Sequence, residues 1–411
     1  MKFSIITATH LKNAFLYELY QSLTEQTYTD WEWVLWLNGG ASRTLVDSAI
    51  VSDPRVKIFE CSENNPCVGF NKHNAFMKGE GDVLVEVDHD DLLLPTCLEE
   101  LKKAFEENSD VGFVYTNDIN WHMKDEFVPY NSYYGWEHEK YEWRGKEYYS
   151  MISFQPSSHS VAFIWYAPDH VRAWRKDLYV KIGGHDPKLD ICDDHELMIR
   201  TYLATKMHHI SKPLYVYRIT GNNTWLERNK AIQERTVELF NKHAWDLAVK
   251  DAKDRNLMII DLGGGINPKA GCTTLDLEGG DITCDLNEGI PLPDNSVGVL
   301  NASHLIEHLH DKHKIMSEIY RVLADGGWAF IEVPSTDGRG AFQDPTHVSY
   351  WNENSFWYYT RQDKAKFIRN STIRFQDFRL DTIWWDDKIA ITNAWLVAVK
   401  SNKRRPHPVK I

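Results

Sequence analysis

The first hundred residues alternate short apolar runs with segments whose apolar residues recur at helical spacing. The runs FSIITAT, WEWVLWL and GDVLVEV predict buried strands, and helices are predicted over residues 14–23 and near Arg43. Further along, Leu98, Leu101 and Phe105 share one face of another predicted helix, and VGFVYT follows it as a strand. This alternation predicts an α/β fold with a mainly parallel sheet that is covered by helices on both faces.

The β/α pattern starts again after a charged helical segment at residues 230–255, where LMIID predicts a new strand. A chain of 411 residues is expected to hold two or three domains. We therefore predict one domain over residues 1–245, a second over 255–400, and a basic tail over 401–411. Residues 121–170 are rich in Trp, Tyr and Glu with weak periodicity, which predicts a long, partly irregular excursion from the first core.

Composition and charge narrow the classes of function. The chain is 43% hydrophobic and carries a net charge of -13, so it reads as globular and offers nucleic acid no general attraction. Six scattered cysteines without a CxxC pair favour reduced thiols in a cytoplasmic compartment. No signal peptide or membrane span is evident. We expect no nucleic-acid partner and no integral membrane segment, with peripheral membrane contact through the basic tail left open.

The sharpest local motif is VEVDHDDLLLP, in which a predicted buried strand runs directly into Asp88, Asp90 and Asp91. Ligands of open parallel sheets bind at this carboxyl edge. Asp88 and Asp90 are two residues apart on an extended segment and can point the same way, and carboxylates suit hard cations. Bound Mn²⁺ or Mg²⁺ would neutralise a diphosphate leaving group. The alternative is an acidic turn in which Asp91 caps the next helix.

Several motifs follow one another as they do in family-2 glycosyltransferases with the GT-A fold, which the first 240 residues resemble. They are FSIITATH, QSLTEQTYTDWEWVLWLNGG and VGFNKHNAFMKGEGDVLVEVDHDD. The resemblance implies a nucleotide-diphosphate sugar as donor. Asn38 stands where the family usually has an aspartate that reads the base, so the nucleotide stays open. The resemblance implies Asp88 and Asp90 as metal ligands. It implies these nucleotide-sugar contacts: Thr7, Thr9, Asn38, Lys72, Asn74, Asp88 and Arg218.

A later segment, DLYVKIGGHDPKLDICDDHELMIR, resembles the family's G-G-[FH]-D motif followed by an acidic pair, a helix and an arginine. Inverting transfer needs a base that takes a proton from the acceptor hydroxyl, and the resemblance assigns this role to Asp194. The alternative is that Asp193 and Asp194 only cap the helix, and both roles are compatible. His170 and His185 are expected to orient neighbours. Two tryptophans are candidates for sugar stacking or for core packing: Trp165 and Trp174.

The second half resembles a class I S-adenosylmethionine-dependent methyltransferase over residues 255–400, which implies a smaller, Rossmann-like domain. The resemblance rests on NLMIIDLGGGINPKAGCTTLDLEGGDITCDL and LPDNSVGVLNASHLIEHLHDKHKIMSEIYRVLADGGWAFIEVPS. Asp261, Gly263 and Gly265 would hold the methionine portion of S-adenosylmethionine and Asp276 the ribose. Asp285 and Leu286 would hold the adenine. Only about eight residues separate the glycines from the next strand, too few for a crossover helix.

Histidines supply the remaining candidates in this half. His347, in QDPTHVSYW, is the expected base for methyl transfer. His304 and His308 are four residues apart and would share one face of a helix, where they could bind a metal. With no third ligand identified, helix packing is the favoured interpretation.

Together these patterns predict a bifunctional glycan-building enzyme. Its first domain would be an inverting, metal-dependent glycosyltransferase acting on a glycan or other hydroxyl acceptor, and its second domain would O-methylate the product. One alternative is a catalytically inactive second domain that binds acceptor or partner. A nucleotidyltransferase is disfavoured because TATHLKNAF lacks a Gly- and Lys/Arg-rich phosphate loop. A lectin is disfavoured because sugar binding alone needs no base.

Overall fold

The computed structural model describes residues 1–10, 15–63, 65–123, 132–163, 168–221, 223, 227–265, 267–369 and 371–406. The chain divides into two compact units. The first comprises Met1–Ala244 and Arg405–Ile411, and the second comprises Trp245–Arg404. Of the basic segment expected as a separate tail over 401–411, the described residues up to Arg404 belong to the second unit and Arg405 and Pro406 to the first, while 407–411 lie outside the described residues. Trp165, one of the two candidate stacking residues, lies outside the described residues.

Strands of the first unit are short and mostly buried. In chain order they are β1 (Phe3–Thr9), β2 (Trp31–Leu37), β3 (Val56–Glu60), β4 (Val83–Glu86), β5 (Leu92–Leu93), β6 (Val111–His122), β7 (Glu137–Trp143), β8 (Lys146–Ile152), β9 (Arg172–Arg175) and β10 (Lys206–Ile219). The helices are α1 (Leu16–Thr24), α2 (Ser48–Ser52), α3 (Val68–Phe76), α4 (Cys97–Glu107), α5 (Lys176–Lys181), α6 (Asp193–Ala204) and α7 (Asn229–Asp254), the last of which continues into the second unit. Short 3-10 turns occupy Arg43–Leu45 and Ser132–Tyr134.

The strands of the first unit form one mixed sheet in the order β3-β2-β1-β4-β9-β6-β10-β5. Strands β1 to β4 are parallel, as the apolar runs predict, whereas β9 is antiparallel to both β4 and β6. The segment expected to be partly irregular contains a hairpin of β7 and β8, whose turn residues Arg144 and Gly145 both have positive φ. Such a pair suits a two-residue hairpin turn, and β8 joins this hairpin to β6.

Strands of the second unit are β11 (Met258–Leu262), β12 (Thr273–Asp276), β13 (Ile282–Thr283), β14 (Val297–Ser303), β15 (Leu323–Pro334), β16 (Phe375–Trp384) and β17 (Ala390–Ala398). Its own helices are α8 (Lys312–Val322), α9 (Gly340–Gln343), α10 (Glu353–Thr360) and α11 (Gln362–Ala365), with a 3-10 turn at Ile306–His308.

The sheet of the second unit has the order β13-β12-β11-β14-β15-β17-β16, with β17 antiparallel to both of its neighbours. The strand order reverses direction between β11 and β14, which is where open α/β sheets bind ligands. The described residues between β11 and β12 form no helix, in agreement with the short spacing in the sequence. Among the described residues, no helix is long and apolar enough to cross a membrane.

Candidate functional site

The carboxyl ends of three parallel strands meet at one edge of the first sheet. Ile6 of β1 pairs with Glu86 of β4, and Thr9 of β1 pairs with Leu37 of β2. The residues that follow these strands, among them Asn38 and Asp88, therefore lie along the same edge. This is the edge at which open α/β sheets bind ligands.

Asp88 and Asp90 are the two carboxylates of the acidic motif that were considered as metal ligands. The side chain of Asp88 is 35% exposed, and its backbone N–H donates to the Tyr215 hydroxyl at 3.1 Å. Burial and the nearby charge of Asp88 raise the pKa of Asp90. A divalent cation bound by both side chains would relieve this repulsion, so the pair fits a metal such as Mn²⁺ or Mg²⁺.

Asp91 has a different role from the helix cap considered above. It is buried, and its carboxylate accepts hydrogen bonds from the Tyr215 hydroxyl at 2.8 Å and from the backbone N–H of Arg218 at 2.7 Å. Helix α4 begins only at Cys97, with Thr96 before it. Asp91 therefore fastens the acidic motif to β10.

Arg218 also holds the acidic motif in position. Its buried guanidinium does not fit the phosphate contact expected of it. Only 1% of this residue is exposed, and its Nε donates to the carbonyl oxygen of Asp90 at 2.6 Å. Its guanidinium pairs with Glu18 at 3.0 Å and lies between the rings of Phe15 and Trp121. Because these groups enclose the guanidinium, it positions the backbone of Asp90 through the carbonyl oxygen.

The other expected nucleotide contacts differ in their placement. The Thr7 hydroxyl is buried, donates to the carbonyl of Val87 at 2.9 Å and accepts from Trp33 Nε1 at 3.0 Å, which does not fit a nucleotide contact. Thr9 is buried as well. Asn74 Nδ2 donates to Phe70 O at 2.8 Å, within its own helix. By contrast, Asn38 Oδ1 is buried without a hydrogen-bond partner in the described chain, as a base-reading oxygen would be.

Beside this edge lies a buried group of charges centred on Glu86. Lys72 Nζ is 2.5 Å from one oxygen of Glu86, and Arg172 Nη1 is 3.5 Å from the other. The same guanidinium nitrogen donates to Asp194 Oδ2 at 3.1 Å. Lys72, expected at the donor, is therefore tied to Glu86, and Arg172 links Glu86 to the expected base.

Helix α6 begins at the acidic pair, with Cys192 in left-handed conformation before it, so neither aspartate is the capping residue. Burial would raise the pKa of Asp194, but the charges of Arg172 and Lys72 outweigh burial and lower it. The side chain of Asp194 is 25% exposed. Burial and the charges of Asp194 and Glu86 instead raise the pKa of Asp193 to about 7, although Lys72 opposes this shift. The pair thus separates into an ionised, reachable carboxylate and a buried one.

The two histidines expected to orient neighbours lie beside different groups. The Tyr179 hydroxyl lies 2.8 Å from His185 Nδ1 and accepts from the His185 backbone N–H, and the Nε2 of that ring lies 3.7 Å from Asp193 and 3.8 Å from Glu86. Burial lowers the pKa of His170 to about 4, and its Nε2 lies 3.9 Å from Asp88 Oδ2. Trp174 is fully buried and packs on Phe76, so it belongs to the core and not to a sugar-stacking face.

In the second unit, the turn after β11 is organised by carboxylates. Asp261 accepts from Lys269 N–H at 2.7 Å and from Asn301 Nδ2 at 2.7 Å. Gly263 has a φ of +70°, and a Cβ there would meet Leu305 at 2.6 Å, so only glycine fits. Gly265 N–H donates to Asp276 Oδ2 at 2.8 Å, which brings the glycine turn to the end of β12.

The remaining expected cofactor contacts lie beyond this turn. Asp276 Oδ1 accepts from Glu278 N–H at 3.2 Å, and Asp285 Oδ1 accepts from the backbone and side-chain amides of Asn287. Each carboxylate oxygen has two lone pairs, so these contacts are compatible with a ribose or an adenine. Leu286 packs in the core of the unit. The two aspartates thus retain acceptor capacity of the kind S-adenosylmethionine needs, whereas the Leu286 side chain, expected at the adenine, is buried in the core.

The histidines of the second unit are arranged differently from the expectation. His304 and His308 do not share a helix face, because His304 has a φ of +51° and only Ile306–His308 form a 3-10 turn. His347 Nδ1 lies 3.0 Å from the carbonyl of Ala341, and its ring is 4.9 Å from that of His308. Packing within one helix therefore does not explain this pair.

The first unit has a GT-A-like sheet, and the second has the mainly parallel sheet of a methyltransferase-like domain. Residues 4–162 match the family model described as Glycosyl transferase family 2, and residues 269–331 match the model described as Methyltransferase domain. The first part of the chain is therefore similar to family-2 glycosyltransferases, and part of the second half is similar to methyltransferases. These matches confirm the predicted fold class.

Curated relatives cover the first half. The O-antigen biosynthesis protein RfbC of Myxococcus xanthus is 25% identical over 224 residues, which are 52% of this chain but 15% of that protein. The uncharacterized glycosyltransferase MJ1057 of Methanocaldococcus jannaschii is 27% identical over 224 residues, 51% of this chain and 73% of its own length. Among solved structures, S. aureus TarS 1-349 in complex with UDP-GlcNAc is 17% identical, with a TM-score of 0.43 over 59% of this chain and 72% of its own.

Two residues of the first site were not identified from the sequence, namely Glu86 and Arg172. Glu86 ends the strand VLVE and Arg172 begins the strand RAWR, and both are buried. A charge at the end of an apolar run requires a partner, which is a signal for Glu86, whereas RAWR with its two arginines gives no such signal.

Proposed function

We propose that the first unit transfers a sugar from a nucleotide diphosphate to a hydroxyl acceptor with inversion, and that the transfer depends on a divalent metal. The observation that supports this proposal is that two neighbouring residues, His170 and Arg172, lie beside the proposed metal ligand and the proposed base. His170 lies beside Asp88 of the acidic motif, and Arg172, two residues later, pairs with Asp194. The proposed metal ligand and the proposed base therefore lie near two residues of the same short segment, and Arg172 forms an ion pair with the base.

Each residue has a defined part in this reaction. Asp194, kept ionised by Arg172, would accept the proton of the acceptor hydroxyl as its oxygen attacks the anomeric carbon. Asp88 and Asp90 would hold the metal, which supplies charge neutralisation for the departing diphosphate. Asn38 would accept a hydrogen bond from the base through its unpartnered Oδ1. Arg218 and Asp91 keep the acidic motif in place.

The test is nucleotide release from a panel of UDP-, GDP- and dTDP-sugars with Mn²⁺ or Mg²⁺ and mixed glycan acceptors. We expect release from one donor that disappears with EDTA and in Asp90→Ala. In Asp194→Asn, transfer should fall by about 100- to 10,000-fold while the donor still binds. Asp110→Asn, which removes an exposed carboxylate paired with Lys206, is the matched control. Transfer at the wild-type rate in Asp194→Asn would refute the base assignment.

We further propose that the second unit binds S-adenosylmethionine and O-methylates the glycan product. The supporting observation is the contact of the glycine turn with Asp276, together with the match to a methyltransferase model. The name of the Myxococcus relative, an O-antigen biosynthesis protein, supports a cell-surface glycan as acceptor. Calorimetry should show binding of S-adenosylmethionine that is weakened in Asp276→Asn and unchanged in the surface control Asp294→Asn. Absence of binding, with sugar transfer intact, would favour the inactive-domain alternative.

A further inference from the structure

Three side chains to which the proposed reactions assign no role come together beyond β14, namely Glu307, His308 and His347. Glu307 and His308 belong to the 3-10 turn after this strand, and His347 comes from a loop about forty residues later. One carboxylate oxygen and one nitrogen from each ring lie within 4.8 Å of one another. Backbone N–H groups of Val348 and Ser349 both donate to the Glu307 carbonyl at 2.9 Å, so the loop is fixed against the turn.

Glu307 is the unusual member of the cluster. The residue is 2% exposed, and in the described part of the chain neither carboxylate oxygen has a hydrogen-bond partner. The nearest cationic group is the imidazole of His304, whose Nδ1 is 3.6 Å from Oε1. A buried carboxylate without hydrogen bonds is costly unless it meets a cation. His304 lies beyond hydrogen-bond distance and beside one oxygen only, so the carboxylate of Glu307 remains available to a bound cation.

Hydrogen bonds fix which nitrogen of each of the two histidines carries the proton. His308 Nδ1 lies 3.2 Å from both the carbonyl and the hydroxyl oxygen of Thr346, and His347 Nδ1 lies 3.0 Å from the Ala341 carbonyl. A carbonyl oxygen only accepts, so each Nδ1 donates and the lone pair of the neutral ring sits on Nε2. Backbone carbonyls commonly fix the tautomer of metal-bound histidine in this way. Near His347 Nε2, the carboxylate of Asp344 lies at 3.8 Å.

We propose that Glu307, His308 and His347 form a binding site for a divalent transition-metal ion of the zinc type. Two imidazoles and one carboxylate suit Zn²⁺, Co²⁺ or Fe²⁺ better than Mg²⁺ or Ca²⁺, which prefer oxygen ligands. Bonds of about 2.1 Å place adjacent ligand atoms about 3.4 Å apart, so side-chain rotations of about 1 Å close the observed spacing. Three protein ligands leave a coordination position open. This assignment replaces the general-base role expected of His347.

The metal-binding cluster lies at the same sheet edge as the glycine turn, which suggests a role in binding the acceptor. Leu262 at the end of β11 pairs with Ala302 near the end of β14, so the residues after both strands lie at the same sheet edge. The glycine turn proposed to hold S-adenosylmethionine follows β11. An open metal position at this edge suits an acceptor hydroxyl, whose acidity the ion would increase. Metal binding itself does not depend on methyl transfer.

The test uses the full chain carrying Asp88→Asn and Asp90→Asn, so that the acidic motif of the first unit cannot contribute. After treatment with a chelator, this protein is titrated with Co²⁺, followed by visible absorption, and with Zn²⁺, followed by calorimetry. We expect one equivalent of either ion to bind, Zn²⁺ to displace Co²⁺, and Zn²⁺ to raise the melting temperature. Mg²⁺ at the same concentration should produce none of these changes.

Glu307→Gln and His347→Asn should each weaken Zn²⁺ binding by roughly 100-fold, since each removes one ligand. His310→Ala, which removes an exposed histidine beside the turn, is the matched control and should bind as the parent does. Glu307→Gln keeps the shape of the side chain, and its melting temperature without metal reports whether it is folded. Absence of binding in the parent, or equal binding in the parent and the folded Glu307→Gln variant, would overturn the proposal.

Discussion

Nη1 of Arg172 lies 3.1 Å from Oδ2 of Asp194. Arg172 is buried, and its pairing outweighs the burial of Asp194, which by itself would raise the pKa of that carboxyl. Charge-assisted hydrogen bonds of this kind hold both the ionisation state and the direction of a carboxylate. The two residues are 22 positions apart, on β9 and α6.

Replacing Arg172 should move the acid limb of the pH–activity profile. A lowered carboxyl pKa keeps the base ionised down to a pH below the ordinary range, and activity is lost as pH falls through that lowered value. In Arg172→Gln, burial dominates, so we expect loss of activity to begin at higher pH. Arg172→Lys keeps the charge and should restore part of the original profile. Sugar transfer measured from pH 4 to 8 checks this, and identical acid limbs in wild type and Arg172→Gln would contradict it.

Asp193→Asn should change how stability depends on pH. The raised pKa of Asp193, about 7, means that its favourable contribution is fully present below the unfolded-state pKa of about 3.9 and is lost as pH rises through 7. The amide removes this loss. We therefore expect the variant to gain on the order of 2 kcal/mol relative to wild type at pH 8. Urea unfolding at pH 4 and pH 8 measures the difference, which should be small at pH 4.

Arg218→Gln distinguishes a positioning role from a phosphate contact. Because the guanidinium holds the Asp90 carbonyl and pairs with Glu18, its loss should lower the melting temperature and raise the Mn²⁺ concentration needed for half-maximal activity. Breaking a buried ion pair commonly costs about 3–5 kcal/mol, and partial exposure of Glu18 places the expected cost at about 2 kcal/mol. A variant with normal stability and metal response but a raised donor KM would instead support the phosphate contact.

Trp174 should behave as a core residue. It is fully buried, and its Nε1 donates to the Thr201 hydroxyl at 3.0 Å. Trp174→Ala should therefore cost about 3–5 kcal/mol of stability. Trp174→Phe, which keeps most of the packing, should retain the donor and acceptor KM values of wild type. Thermal melting and steady-state kinetics provide the measurements. A large rise in acceptor KM in a stable Trp174→Phe variant would instead support the sugar-stacking role.

Local sequence patterns predicted those parts of the site whose structure depends on residues close together in the chain. Apolar runs ending in Asp88 define a buried strand and its carboxyl edge, because side chains alternate along a strand and the chain must turn where the apolar run stops. Thr7 shows the limit of this argument. Its position in the first strand is evident, but whether its hydroxyl faces a nucleotide or Trp33 depends on a neighbouring strand.

The sequence by itself determined the two-part organisation, the buried strands, the acidic edge and the glycine turn, because each depends on a pattern of residues close together along the chain. Tertiary structure decided which charges meet. Asp91 is held by Tyr215, 124 positions away, and His347 reaches the turn that carries Glu307. Ionisation, burial and metal-ligand geometry depend on distances of a few ångström, and only the folded chain brings such residues within that range.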